Sequence, residues 1–282
     1  MLAAGLSFAL MSVFVKQGSA YFSSHEMVFY RSLLGMAFLY GLMHIPGAGG
    51  RARRGLRGDH MMLHLRRGFI GFVALATFFY AVAKLPMSVA VTLNYSSPLF
   101  LALIMPFWLG ERPHAMEYLA VALGFVGVAL LLRPWEAALD LFAAGVGLFS
   151  GFMAALAYVH VRQLGKLDEP EWRTVFWFAV VGLVGSALLS SASGWHPPRV
   201  SDAPLIVALG VFATFGQLAM TRAYRRGDTV VVASLAYSTV VFSSLLDVVI
   251  WEVRLPPIAW VGMALTVAAG IWAVRLNTRK DK

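Results

Sequence analysis

Cysteine is absent from this chain, and charged residues are scarce. The 282 residues include no Cys, and Asp, Glu, Lys and Arg together make up only 13%. Without cysteine there is no disulfide framework, no thiolate metal site and no catalytic thiol. With so little charge the chain does not match a soluble globular domain, in which about 25% of residues are charged.

Enzyme motifs are missing as well. The sequence has no H-E-x-x-H, no G-x-S-x-G and no pair of aspartates within an apolar run. An intramembrane enzyme is therefore disfavoured, and no catalytic residue, metal or cofactor is predicted.

Apolar residues replace the missing charge and make up 59% of the chain. A membrane-spanning helix needs about 20 mostly apolar residues. Prolines cluster between the apolar windows and tryptophans at their ends, as expected for helix boundaries and an aromatic belt. We therefore predict an all-α polytopic membrane protein with ten transmembrane helices, the first starting at Met1. The windows are 1–20, 26–45, 68–85, 87–109, 116–133, 141–162, 172–193, 203–222, 229–251 and 256–275.

Positive charge is unevenly divided between the two faces of this predicted bundle. Of the 23 Lys and Arg residues, 17 fall on the side of the chain ends and five on the other. Cationic loops stay cytoplasmic, so both termini are expected in the cytoplasm of a cell whose inner membrane holds the protein. Nucleic-acid binding by the arginines of residues 46–67 is disfavoured because no aromatic stacking platform accompanies them; contact with anionic lipid is favoured.

The chain repeats itself. Residues 5–17 and 151–163 are identical at six of thirteen positions, and residues 92–100 and 234–242 at four of nine. The pattern predicts a first five-helix repeat at 1–133, a linker at 134–140, a second repeat at 141–276 and a tail at 277–282. Because five is odd, the two repeats are inverted relative to each other, which is the organisation of secondary transporters. Both repeats lie in one chain, so a monomer suffices.

Several residues in these repeats resemble a known family. In the first half they are Ala90, Asn94, Pro98, Gly110-Glu111-Arg112, Gly124 and Gly127, and in the second half Ser234, Tyr237, Ser238, Glu252 and Gly270. They are similar to the drug/metabolite transporter superfamily, in its EamA-type branch, although Val240 stands where a second Pro98 would fall. Within that branch the chain most resembles bacterial exporters of aromatic amino acids. The resemblance implies a central substrate cavity lined by spans one, three, four, six, eight and nine.

Polar side chains within these spans are the candidates for binding substrate. Pro98 cannot donate to the Asn94 carbonyl, so that group is free for a ligand or for a packing kink satisfied by hydroxyls. Hydrogen bonding between helices explains each of the other side chains equally well. The candidates are Tyr80, Asn94, Tyr95, Ser96, Pro98, Tyr158, His160, Gln217, Tyr237 and Ser238.

Three ionisable residues in or beside the spans are candidates for gating or coupling. Asp247 is the carboxylate inside a predicted span, Arg31 is its expected partner, and Lys16 lies near the end of span one. An ion pair that closes a gate, a proton-coupling acid and snorkelling to the interface all remain open for them. Uniport and proton-coupled antiport are therefore both compatible with the sequence.

The predicted function is export of small amphipathic metabolites, with amino acids bearing aromatic or other apolar side chains as the expected substrates. Few cations lie inside the spans, which disfavours a phosphorylated sugar. A polyspecific exporter of drugs or toxic cations with the same fold is the alternative. A channel is disfavoured because no loop resembles a selectivity filter.

Overall fold

The computed structural model describes residues 1–44, 55–85, 87–136 and 140–280. Within these ranges the chain forms twelve α-helices, two short 3-10 turns and no strand. The predicted all-α fold is thereby confirmed. The helices are α1 Leu2–Gly18, α2 Ser24–His44, α3 Met61–Lys84, α4 Met87–Asn94, α5 Ser97–Trp108, α6 Ala115–Leu132, α7 Leu141–Lys166, α8 Glu171–Ser193, α9 Ala203–Arg226, α10 Thr229–Ala236, α11 Ser238–Trp251 and α12 Pro257–Lys280.

The twelve helices make ten spans, because α4 with α5 forms the fourth span and α10 with α11 forms the ninth. Eight of the spans are long and apolar enough to cross a membrane on their own composition, and α1 is a shorter apolar helix. α2 has 21 residues but carries Arg31 and Glu26, which lower its hydropathy. Both α1 and α2 pack into the bundle against helices of the other half, so they complete the ten.

Helix contacts show that the two halves have the same architecture. α1 packs against α9 and α11, and its repeat equivalent α7 packs against α3 and α5. α2 likewise packs against α9, as α8 packs against α3, while the pairs α2–α8 and α6–α12 each join equivalent helices of the two halves. Exchanging the first five spans with the last five therefore leaves this pattern unchanged. Because each half has five spans, the two halves run in opposite directions through the membrane.

Several predicted boundaries differ from the structure, and α7 and α9 each continue four residues past their windows, to Lys166 and Arg226. The third predicted window begins at residue 68, but the corresponding helix α3 begins at Met61 and so includes Arg66 and Arg67. The predicted tail from residue 277 is helical in part, because α12 continues to Lys280. Charged residues can occupy the last turns of a spanning helix, so a change in polarity does not mark where the helix ends. In the predicted linker, a 3-10 turn covers Pro134–Glu136, and residues 137–139 lie outside the described ranges.

Both broken spans owe their breaks to local hydrogen bonding. In span four, Pro98 lies in the first turn of α5, and Ser96 Oγ donates to the Leu93 carbonyl oxygen (2.5 Å). In span nine, Ser238 Oγ donates to the Leu235 carbonyl oxygen (2.7 Å). A hydroxyl therefore satisfies a backbone acceptor at each break, as is typical of interrupted helices in membranes. Span nine is broken although it lacks the proline, so Val240 is no obstacle to the equivalence of the two spans.

Repeat-equivalent glycines lie against these breaks. Gly5 of α1 faces the break in span nine, where an added Cβ would lie 2.7 Å from Ser238 Oγ. Gly151 of α7 faces the break in span four, where an added Cβ would lie 2.5 Å from Ser96 Oγ and 2.8 Å from the Leu93 carbonyl oxygen. Each half thus holds the interrupted helix of the other half through a glycine contact, which brings helix backbones close together.

Candidate functional site

Four tyrosines meet between the two broken spans. The rings of Tyr158 and Tyr224 stack with centroids 4.9 Å apart, and those of Tyr95 and Tyr237 lie 6.5 Å apart. Tyr224 and Tyr237 are fully buried, and their hydroxyls have no hydrogen-bond partner among the described residues. An unpartnered buried hydroxyl costs about 1–3 kcal/mol. The tyrosine cluster thus offers aromatic faces and two free hydroxyls to a bound molecule.

Two arginines lie beside this cluster. The guanidinium groups of Arg67 and Arg31 lie 4.1 and 5.7 Å from the ring centroid of Phe178. Arg67 NH2 donates to Gln217 Oε1 over 3.4 Å, and Arg67 is close enough to Tyr158 for the two to interact electrostatically. Since α2 and α3 of the first half and α8 and α9 of the second half supply these side chains, the arginine group connects the two halves.

Four of the predicted binding residues belong to this centre. Tyr95, Tyr158 and Tyr237 are members of the tyrosine cluster, and Gln217 lines the cleft beside Arg31. The cleft itself has a free volume of about 20 Å³, which is room for about one water molecule. In the described conformation this cleft is therefore too small to hold a metabolite.

The remaining predicted binding residues have structural partners instead. Asn94 Nδ2 donates to Ser150 Oγ (3.0 Å), and His160 Nδ1 donates to the Leu156 carbonyl oxygen (2.7 Å). Tyr80 lies 40% exposed on α3 against Phe142. Helix packing and internal hydrogen bonding account for these side chains, as they do for the other three, which lie at the breaks described above. Those three are Ser96, Pro98 and Ser238.

The expected pair of Asp247 with Arg31 is not formed. Asp247 Oδ1 lies 3.4 Å from Lys16 Nζ, and Lys16 also lies over the ring of Trp251 at 3.8 Å. Both charged side chains are about half exposed, so the pair is solvated and weak. The prediction was wrong because sequence position gives the depth of a side chain in the membrane but not the direction in which it points around its helix.

A larger ionic cluster lies at the face that carries both chain ends. Glu111 accepts hydrogen bonds from Arg162 Nε (2.9 Å) and Thr229 Oγ1 (2.6 Å) and forms an ion pair with Lys166 (3.0 Å). Arg162 also donates to the carbonyl oxygens of Tyr224 (3.2 Å) and Arg225 (3.1 Å). This Glu111 cluster ties the α5–α6 turn to α7, α9 and α10.

The Glu111 cluster favours a charged carboxylate. Burial by itself raises the pKa of Glu111, but the hydrogen bonds from Thr229, Arg162 and Lys166 outweigh it and hold the pKa below its usual range. Arg162 is the repeat equivalent of Lys16. Each of these two cations thus pairs with an acid of the opposite half, one pair at each face of the bundle.

Tyr224 and Arg67 are site residues that the sequence analysis missed. Tyr224 lies between Arg222 and Arg225, and this charged neighbourhood resembles a loop. Arg67 follows Arg66 and was counted among the loop cations for the same reason. Apolar residues continue on both sides of these arginines, among them Leu63, Leu65 and Met220, and this is the signal that could have placed both on helices.

Two like halves in opposite orientation, with a buried polar site between their broken helices, define a membrane transporter. The chain belongs to the EamA-like transporter family, whose model matches residues 1–133 and again residues 141–275. The pseudopaline exporter CntI of Pseudomonas aeruginosa (strain UCBPP-PA14) is 31% identical over 272 residues, covering 96% of this chain and 90% of the exporter.

Other relatives agree with this class. A riboflavin transporter of Rhizobium johnstonii is 25% identical over 284 residues, covering 100% of this chain and 92% of that protein. A crystal structure at 21% sequence identity superposes with a TM-score of 0.76 and covers 97% of both chains, which supports the fold. This protein is therefore a multi-pass bacterial membrane transporter of the EamA family.

Proposed function

We propose that this transporter exports small amphipathic metabolites, foremost amino acids with aromatic or other apolar side chains, across the bacterial inner membrane. The tyrosine cluster carries the proposal, because stacked rings offer faces to an apolar or aromatic group while free hydroxyls offer hydrogen bonds to polar atoms. The similarity to an exporter supports the direction of transport.

Orientation follows from the distribution of charge. We infer that both termini are cytoplasmic, because the face with the chain ends carries most of the Lys and Arg residues. The Glu111 cluster then lies at the cytoplasmic face and the Lys16–Asp247 pair at the outer face. We propose that residues 134–140 are the linker between the two repeats, and that each repeat moves as one five-helix body.

Alternating access is the mechanism we propose. The two ion pairs join opposite halves at opposite faces and both are formed in the described conformation, so opening of either face requires that the pair at that face breaks. The more buried and more extensively bonded Glu111 cluster closes the cytoplasmic face in the described conformation. Asp247 and Lys16 act as the outer gate in this scheme, which makes Asp247 a gating rather than a proton-coupling residue.

Export of cationic drugs is the less favoured alternative. Arg31 and Arg67 lie beside the site, and the guanidinium groups of the half-buried Arg31 and the buried Arg67 repel a cationic substrate. A substrate panel including a lipophilic cation separates this alternative from amino acid export.

Flux into proteoliposomes tests the proposal directly. We expect saturable transport of radiolabelled tryptophan or phenylalanine above the level of empty vesicles, with competition among aromatic amino acids and none from a lipophilic cation. Aromatic amino acid flux no greater than in empty vesicles would rule out the substrate. Comparison with D247N and H160A under an imposed pH gradient separates gating from proton coupling, because loss of the pH dependence in either variant would assign coupling to that residue.

A further inference from the structure

We propose that Arg67, together with Arg31 and Gln217, binds a negatively charged group of the transported molecule, and that this group is a carboxylate. The inference rests on the proposed transport of metabolites and deepens it by naming the chemistry that one end of the substrate requires. Amino acids meet this requirement at the α-carboxylate.

Arg67 has donors that nothing in the described structure uses. The side chain is 3% exposed, and both Nε and NH1 lack a hydrogen-bond acceptor among the described residues. Its NH2 contact with Gln217 is long at 3.4 Å. Burying a charged group without hydrogen-bond partners is expensive, so such a cation is retained where an anion binds.

Arg31 increases the positive charge at the same place. Its NH1 has a weak contact with Met11 Sδ at 3.9 Å, and its guanidinium faces the same Phe178 ring as Arg67. Within the described residues no carboxylate lies within 4 Å of either arginine to form a salt bridge. Two like charges converging without an acid make a strong local positive potential, which attracts an anion.

Position in the membrane supports a transport role. Arg67 is six residues into α3 and Phe178 is seven residues into α8, which places both about 10 Å below the face of the chain ends. Arg31 is seven residues into α2 from the opposite face, about 10 Å deep. The two arginines thus enter the bundle from opposite sides and meet at one aromatic ring.

The space beside Arg31 lies between helices of both halves, and Arg67 adjoins it through its contacts with Phe178 and Gln217. Arg31, Ser32 and Gly35 of α2 line it on one side, and Phe178 of α8 with Thr214 and Gln217 of α9 line it on the other. Rocking of the halves therefore changes its size. Its present volume is too small for a carboxylate with its side chain, so the anion binds when α2 and α8 move apart.

Ligand-induced thermal stabilisation of the purified full-length protein tests this inference separately from transport. The probes are L-tryptophan, its amide, which lacks the carboxylate, and citrate. The variants are R67M, R67K and, as a matched control, R112Q, which removes an exposed arginine from the turn after α5. We expect wild-type protein and R112Q to bind tryptophan at least ten-fold more tightly than its amide. In R67M tryptophan binding falls at least ten-fold and binding of the amide is unchanged, while R67K keeps part of the affinity.

Stability without ligand distinguishes a binding role from a structural one. Because Arg67 is an incompletely paired buried cation, we expect R67M to melt at a higher temperature than wild type in the absence of ligand. A residue that holds the fold together would show the opposite effect. An R67M protein that is folded and binds tryptophan as tightly as wild type does would overturn the inference, as would equal affinity of wild type for the acid and the amide.

The remaining outcomes separate the carboxylate site from the proposed substrate. If tryptophan does not bind but citrate binds in an Arg67-dependent way, the carboxylate site stands and the amino acid substrate falls. If no carboxylate binds, the inference falls. Parallel titrations with phosphatidylglycerol identify a lipid headgroup as the anion, and Arg67-dependent binding of the lipid alone would contradict a substrate site.

Discussion

At the scale of single residues, the tyrosine hydroxyls are the least satisfied groups of the site. Those of Tyr224 and Tyr237 are buried without partners among the described residues, whereas the neighbouring hydroxyls of Ser96 and Ser238 bond their own helices. A hydroxyl that bonds its own helix serves the fold. One that is left free costs stability and is explained by a ligand that pairs with it.

Removing these free hydroxyls should separate stability from transport. For Tyr224→Phe and Tyr237→Phe we expect an unfolding free energy that is unchanged or higher by up to about 1 kcal/mol, because no hydrogen bond is lost. Transport of aromatic amino acids should fall about ten-fold, because the substrate loses a neutral hydrogen bond from the tyrosine hydroxyl. The measurements are thermal unfolding in detergent and proteoliposome flux, with the exposed Tyr21→Phe as control. A marked loss of stability in either variant would show that the hydroxyls have structural partners.

At the scale of elements, the glycine contacts at the two breaks hold the halves together. Gly151 allows α7 to approach the end of α4, where Asn94 and Ser96 lie, and Gly5 allows α1 to approach the start of α11. The close packing leaves no room for a methyl group on either glycine. The breaks are therefore positioned by contacts between halves as well as by their own sequence.

Filling one of these contacts should separate the helices. For Gly151→Ala we expect a loss of about 1–3 kcal/mol in the unfolding free energy, because the new Cβ overlaps Ser96 and two backbone carbonyls. Gly145→Ala is the matched control, since this glycine is exposed on the same helix with nothing within 4 Å of an added Cβ. Gly→Ala there should be neutral or stabilising by up to about 1 kcal/mol. Equal stability of the two variants would show that α7 is not held tightly at the break.

At the scale of the whole molecule, the two ionic contacts differ in strength at the two faces. The Glu111 cluster is partly buried and joins the α5–α6 turn to three helices, while the Lys16–Asp247 pair is solvated. Such asymmetry between the two faces is what a two-state transporter shows in one of its states. Weakening the stronger contact should shift the population towards the other state.

Labelling of an engineered thiol measures that shift. The chain has no cysteine, so S234C introduces a unique thiol at a position that is 2% exposed in α10, beyond the Glu111 cluster. A membrane-impermeant thiol reagent is applied at the face of the chain ends. We expect the S234C thiol to react about ten-fold faster in the E111Q background, because about 1.4 kcal/mol of the free energy that keeps this face closed is lost. D247N should leave the rate unchanged or lower it. Unchanged labelling in E111Q would show that this cluster is not a gate.

Acidification should loosen the same cluster. The pKa of Glu111 is lower in the folded protein than its ordinary value of 4.5, so its stabilising effect is full above that value. The effect is lost as pH falls below about 4.5 through the folded pKa. Wild type should therefore exceed E111Q in melting temperature at pH 7, and the difference should shrink below pH 4.5. A difference that stays constant as the pH is lowered until the protein unfolds would assign the effect to another group.

The ten spans, the repeat and the break in span four could be predicted from the sequence because each depends on local properties. Apolar length specifies a span, an offset similarity reveals a repeat, and Pro98 removes a hydrogen bond wherever its helix lies. The break in span nine was harder, because without a proline only the repeat similarity around Ser238 pointed to it.

The candidate site was predicted only in part, because partners far apart in sequence decide it. Tyr95, Tyr158, Tyr237 and Gln217 were identified, but the fold was needed to show that Lys16 rather than Arg31 meets Asp247. The fold was also needed to show that Arg67 and Tyr224 are buried. Depth in the membrane follows from position along a span, and the sequence by itself determined it. Direction around a helix depends on how the two inverted halves pack, and the tertiary structure alone decided which polar groups face the site.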